Sequence, residues 1–341
     1  MDSYTYGDFN YRTVVSGFVN DLSQLHPGAV HFGLEQQIEY VYGFFVGEDG
    51  TITCLEQKFV GSVSTGTFVM RTDGHGGMNV QPETTRSYRG EVRRTIEDKY
   101  RKWSDPVMLR LPESARREGD LPYLLELDGD KFLWDQGELC HLEGEIKTLG
   151  VQFYAASAEE PLFFTSIPYW VTGTVLGRPT TGLVYFDRVH LKPGTEWKET
   201  KMFTDIQYSW NIFGNLYADG SIEYGKIVIG KDGFQAAMVV DDHRLTAGSS
   251  TVSGRYVLND NGFIRHARYS VGGAGGHVYE FRGKDENNMV EFSASRWNGY
   301  HAQFGVTRRL GDERELVSGI TWLESFDHRI RDAGLAFDSL D

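Results

Sequence analysis

Residues 169–194 read YWVTGTVLGRPTTGLVYFDRVHLKPG, two extended runs around a short Gly-containing turn. Aromatic and β-branched side chains suit a pleated surface, and Gly supplies the positive φ that tight turns need. On the second run Tyr185 and Asp187 point to one face, Phe186 and Arg188 to the other, because strand side chains alternate. If the first face lines a barrel, Asp187 sits among rings out of water, where burial disfavours its charged form and keeps it protonated as a general acid. Hydrating or cyclising an alkene needs such a donor beside an aromatic wall, whose π faces stabilise developing positive charge. Tyr169, Trp170, Tyr185 and Trp210 are the wall candidates. The plainer reading of Asp187 is a pairing with Arg188 or Arg178 at a barrel rim.

The same strand-and-turn pattern extends outward in both directions. Gln37–Val46, the turn Glu48-Asp49-Gly50 and Thr51–Val60 read as a hairpin, and Ala218-Asp219-Gly220 divides SWNIFGNLY from SIEYGKIVIG in the same way. Lys231-Asp232-Gly233 and Asn259-Asp260-Asn261-Gly262 repeat the theme. YGFFVGEDGTI from Tyr42 and FGNLYADGSI from Phe213 share an aromatic-Gly start and a DG turn, consistent with two similar β units. One stretch competes for helix: Tyr88, Val92, Ile96 and Tyr100 recur at steps of four. His190–Thr200, polar and interrupted by Pro-Gly, marks the boundary, giving units 1–192 and 193–341.

A chain of 341 residues exceeds what one core usually serves, so two are expected. The net charge of −14 argues against nucleic acid and anionic membrane surfaces. A basic run from Arg86 to Lys102 is diluted by Glu91, Glu97 and Asp98 and reads as a solvated face. The start MDSYTYGDFNYRTVV lacks the basic and apolar regions of a secretory signal, and no apolar stretch is long enough to span a membrane, so a cytoplasmic protein without stable membrane insertion is expected. Cys54 and Cys140 form no CxxC pair, the His residues no HExxH, and the Gly-rich stretches no phosphate loop, so neither metal nor cofactor is indicated. His75, in DGHGG, marks a Gly-rich tip, read as a turn rather than a lid; His31 and Glu35 are read as an exposed strand start rather than a proton relay.

The Tyr169–Gly194 block, followed by WNIFGNLYADGSIEYG from Trp210, resembles the carotenoid 1,2-hydratase and AttH-like family. Its wider relatives include kievitone hydratase and lipocalin-like Diels-Alderases. The resemblance runs from about Phe32 to Ser325, and the Tyr169–Tyr224 portion is its specific part. It implies an all-β, mostly antiparallel protein of two lipocalin-like (calycin-type) barrels packed together, enclosing a hydrophobic small-molecule substrate without a cofactor. The family's active acid falls on Asp187 and its tyrosine on Tyr185, while His190 stands three residues beyond. The implied substrate contacts are Tyr169, Trp170, Trp210 and Phe213. Phe186 departs from the pattern, since the hydratases commonly carry His there. The function implied is hydration, isomerisation or cyclisation of an unsaturated terpenoid or polyketide. A non-catalytic carrier of such a metabolite is the alternative, because fold alone decides neither.

Overall fold

The computed structural model describes residues 8–9, 13–25, 29–47, 49–60, 63–72, 78–80, 88–94, 99–106, 123–156, 160–273, 275–284, 289–291 and 299–340. They form two antiparallel sheets. In the first, a ring runs through Leu162–Val175, Cys140–Glu145, Lys131–Asp135, Tyr123–Asp128, Lys99–Pro106, Tyr88–Arg94, Val63–Thr72, Ile52–Val60, Leu34–Val46 and Arg178–Leu191. The last of these pairs back onto Leu162–Val175, from Phe163↔His190 to Val175↔Arg178, which closes the barrel. The second sheet runs Arg244–Ser249, Gln235–Asp241, Ile222–Gly230, Gln207–Tyr217, Leu316–Phe326, Tyr300–Arg309, His277–Gly283, Ile264–Val271 and Val252–Leu258. This is the all-β, lipocalin-like architecture expected, with residues up to Leu191 in one sheet and those from Gln207 in the other. Short helical turns at Trp197–Glu199 and Met202–Ile206 join them.

Local chemistry explains the hairpins. At two of them an Asp side chain accepts the backbone N–H two residues on, Thr51 to Asp49 and Ser221 to Asp219, each at 2.9 Å. Gly50 and Gly220 follow at φ 77° and 84°, a conformation that glycine adopts without a steric penalty. The first hairpin pairs Val46↔Ile52 through Ile38↔Val60, close to the expected limits.

The helix expected through Tyr88, Val92, Ile96 and Tyr100 is replaced by two strands, Tyr88–Arg94 and Lys99–Pro106, paired antiparallel. A step of four is even, so it lines one face of a strand as readily as a helix. A helical stripe also needs partners at steps of three, and Glu91 and Thr95 are polar. His75 and Arg86, with the side chains of the other basic residues of the run, lie outside the described residues.

Three apolar clusters follow from strand alternation. Val41, Phe45, Leu55, Trp134, Val184 and Phe186 belong to the cluster inside the first barrel. Phe213, Ile227, Tyr256, Tyr269 and Phe281 belong to the one inside the second sheet. The third joins Tyr42, Tyr185 and Val189 of the first sheet to Trp210, Tyr224 and Trp322 of the second, and forms the seam between them.

Candidate active site

Asp187 lies in this seam, and the expectation that its face lines the barrel is thereby corrected. Val184 and Phe186 take the interior of the first barrel, so alternation turns Leu183, Tyr185 and Asp187 outward, where the second sheet covers them. Asp187 is 5% exposed. Close approach of the sheets depends on Gly214, where a Cβ would fall 1.9 Å from Leu183 Cδ1 and 3.3 Å from the Tyr185 hydroxyl.

Three donors converge on the Asp187 carboxylate. Lys226 Nζ reaches Oδ2 at 2.6 Å, the Tyr42 hydroxyl donates to Oδ2 at 2.7 Å, and Ser166 Oγ donates to Oδ1. Lys226 also donates to the Tyr42 oxygen at 3.0 Å. Ser166 spends its one hydrogen on Asp187, so the adjoining Tyr224 hydroxyl is the donor to Ser166. The result is a one-directional chain, Tyr224 to Ser166 to Asp187, met from the other side by Lys226 and Tyr42. Neither Arg188 nor Arg178 is the partner of Asp187: Arg188 pairs with Glu39 and Arg178 with Asp49.

Rings enclose the pair. Lys226 Nζ stands 4.6 Å from the Phe164 centroid, Tyr185 stacks on Tyr224 at 5.3 Å, and Tyr42 lies 5.1 Å from Tyr185. Burial pushes the Lys226 ammonium below its ordinary pKa, and Asp187 opposes that shift. Burial, reinforced by Asp187, pushes the Tyr42 hydroxyl well above the usual range. Elsewhere in the seam Trp322 Nε1 donates to Glu324 Oε1 at 3.1 Å. Glu56 is pushed up to about 7, mainly by burial, with Lys198 opposing and Glu324 assisting.

Of the residues singled out in the sequence, Asp187, Tyr185 and Trp210 share the seam, Trp210 lying 5.3 Å from Phe164. Tyr169, Phe213 and His190 face elsewhere. Tyr169 packs on Phe132 inside the first barrel, and Phe213 lies inside the second sheet. Trp170, partly buried, packs against the edge of the seam cluster and borders a 550 Å³ surface groove with Glu126, Lys131 and Glu143. His190 is buried beside His31 and Phe163, facing a separate 220 Å³ cavity, and burial lowers its pKa to about 3. Asp187 lines neither of these cavities, nor the 460 Å³ one around Val257 and Arg331.

Tyr42, Ser166, Tyr224 and Lys226 were not singled out. Lys226 carries a legible signal, the one basic charge in the strand IEYGKIVIG, whose only other charge is Glu223, because an unpaired Lys is almost never fully buried. Ser166 and Tyr42 depend on register: Ser166 lies opposite Asp187, and Tyr42 opposite Tyr185.

Among the described residues no group of three or more His, Cys, Asp or Glu is placed to hold a metal, and no helix is long and apolar enough to cross a membrane. The arrangement provides a dry ammonium–carboxylate pair, hydroxyls in a relay and aromatic faces.

The class that the sheets define is an all-β, lipocalin-like architecture, and comparison with solved structures bears on that fold alone. The chain aligns with an AttH-type protein of Nitrosomonas europaea (NE1406) at TM-score 0.50 and 14% identity, over 91% of this chain and 97% of that one. It aligns with CghA, solved with Sch210972, at TM-score 0.50 and 11% identity, over 92% and 99% of the two chains. Kievitone hydratase from Nectria haematococca aligns at TM-score 0.43 and 9% identity over 91% and 93%. No protein-family model matches the chain, and no curated protein matches it.

Proposed function

We propose that this protein is a cofactor-independent enzyme that adds water to, isomerises or cyclises an unsaturated lipophilic molecule, working in the seam between units 1–192 and 193–341. The observation that carries the reading is the Lys226–Asp187 pair, buried among rings and supplied from both sheets. A buried ion pair adds little to stability because desolvation offsets its attraction, so its retention calls for another role.

In this reading Asp187 handles the proton, replenished through Tyr42 and Lys226 or through Ser166 and Tyr224, while Tyr185, Tyr224 and Phe164 face the developing cation. Phe186 points into the barrel, away from this cluster, so the hydratase His has no counterpart at Asp187. That favours cyclisation, in which Asp187 holds Lys226 and Tyr42 in place to polarise a substrate carbonyl and the walls hold a flexible chain in its reactive fold. Asp187 is packed on all sides, so substrate enters by parting side chains along the seam. CghA, of the same fold, holds Sch210972, which supports a small-molecule role.

The test is incubation of the purified protein with a lipophilic extract from cells lacking its gene, read by mass spectrometry. Hydration yields products heavier by one water; cyclisation or isomerisation yields products of unchanged mass and new retention. Metabolites that bind and return unaltered identify a carrier and overturn the reading.

A further inference from the structure

The strand Arg178–Leu191 presents a second set of polar residues on its other face. Arg188 and His190 point toward the barrel end and line a cavity of 220 Å³ with Phe18, Phe32, Phe163 and Thr165. Its inner part is built and dry: Arg188 is 2% and His190 0% exposed. Arg188 is held by Gln36 at 2.7 Å and by Glu39 at 3.3 Å. The His31, His190 and Phe163 rings pack together with centroids 5.0–5.5 Å apart.

The mouth carries an independent sign. Phe32 and Gly33 form the two-residue turn between Val30–His31 and Leu34–Val46, both with positive φ, 54° and 76°. Such turns favour Asn-Gly, and a bulky residue in the first position is an outlier. Phe32 nevertheless leaves 66% of its surface exposed, next to Val30 at 58%. Phe32 stacks on Tyr154 at 4.7 Å and packs edge-on against Phe163 at 5.1 Å, which holds the exposed ring over the cavity, and backbone strain of this kind concentrates at ligand sites.

We infer that this cavity is a second binding site, separate from the seam, for a small uncharged aromatic molecule bearing one hydrogen-bonding substituent, such as a phenol. The size follows from volume, since a cavity of about 150 Å³ holds benzene and this one, at 220 Å³, adds room for a substituent. The charge follows from the lining: Arg188 is neutralised by Glu39 at the floor, and the acid among the lining residues, Asp21, is exposed to water, so neither an anion nor a cation finds an unmatched partner at the floor. Thr165 and the two imidazoles supply donors and acceptors, and Phe32, Phe163 and Phe18 supply ring contacts.

The experiment titrates the full chain with p-cresol, benzoate and benzylamine by calorimetry, alongside Phe32→Asn. The inference expects saturable one-to-one binding of p-cresol, tighter than either charged probe, with shifts in the His31 and His190 ring resonances. Phe32→Asn is expected to raise the melting temperature, because it relaxes the turn, while weakening p-cresol roughly tenfold or more. Absence of saturable p-cresol binding overturns the site. Equal or tighter binding of a charged probe overturns the ligand class, and unchanged affinity in Phe32→Asn overturns the role of the ring.

Discussion

Two adjacent residues of one strand, Asp187 and Arg188, make buried ion pairs of different kinds. Arg188 and Glu39 sit directly opposite each other on neighbouring strands, so their pair pins register within one sheet. Asp187 and Lys226 belong to different sheets, so their pair exists only while the seam is closed. The interior pair is scaffold with a small cavity attached. The seam pair joins the two halves of the molecule, and any ligand parting them must contend with it.

The largest effect expected is on stability. Lys226→Met leaves the Asp187 carboxylate buried without its counter-charge and is expected to cost about 3–5 kcal/mol in urea unfolding, most of it recovered by adding Asp187→Asn. An unchanged midpoint in the single variant would show that the seam pair is not the buried charge pair described.

Opposite pH responses sharpen the contrast. Glu56 in the seam is raised to about 7 from 4.5, so the folded state binds its proton more tightly. Its stabilising contribution is complete below about pH 4.5 and is lost as pH rises through about 7. His190 in the barrel is lowered to about 3 from 6.5, so its contribution is complete above pH 6.5 and is lost as pH falls toward 3. Stability profiles should lose the first slope in Glu56→Gln and the second in His190→Gln.

Smaller effects follow. Gly214→Ala pushes a methyl into Leu183 and is expected to cost about 1–3 kcal/mol. Tyr224→Phe removes a paired hydroxyl and is expected to cost about 0.5–1.5 kcal/mol. Tyr185→Phe should be near neutral in the same melts, because the Tyr185 hydroxyl has no hydrogen-bond partner among the described residues.

The turns and strands were legible because Asp-Gly chemistry and alternation are local. Alternation also places Tyr185 with Asp187, and it forbids Tyr169 and the adjacent Trp170 from sharing one wall. What it leaves open is what covers a face. The outward side of the Asp187 strand looks like a barrel interior in sequence because a second sheet buries it as completely. Lys226 was readable as the one basic charge in a largely apolar strand, whereas Ser166 and Tyr42 meet Asp187 through pairings between distant segments.

The seam's role is tested most directly by the turnover of Asp187→Asn, with folding checked by circular dichroism, on the metabolite that the wild-type protein converts. Loss of about a hundredfold or more in kcat, with binding retained, is the predicted result. Undiminished turnover in a folded Asp187→Asn protein would contradict it.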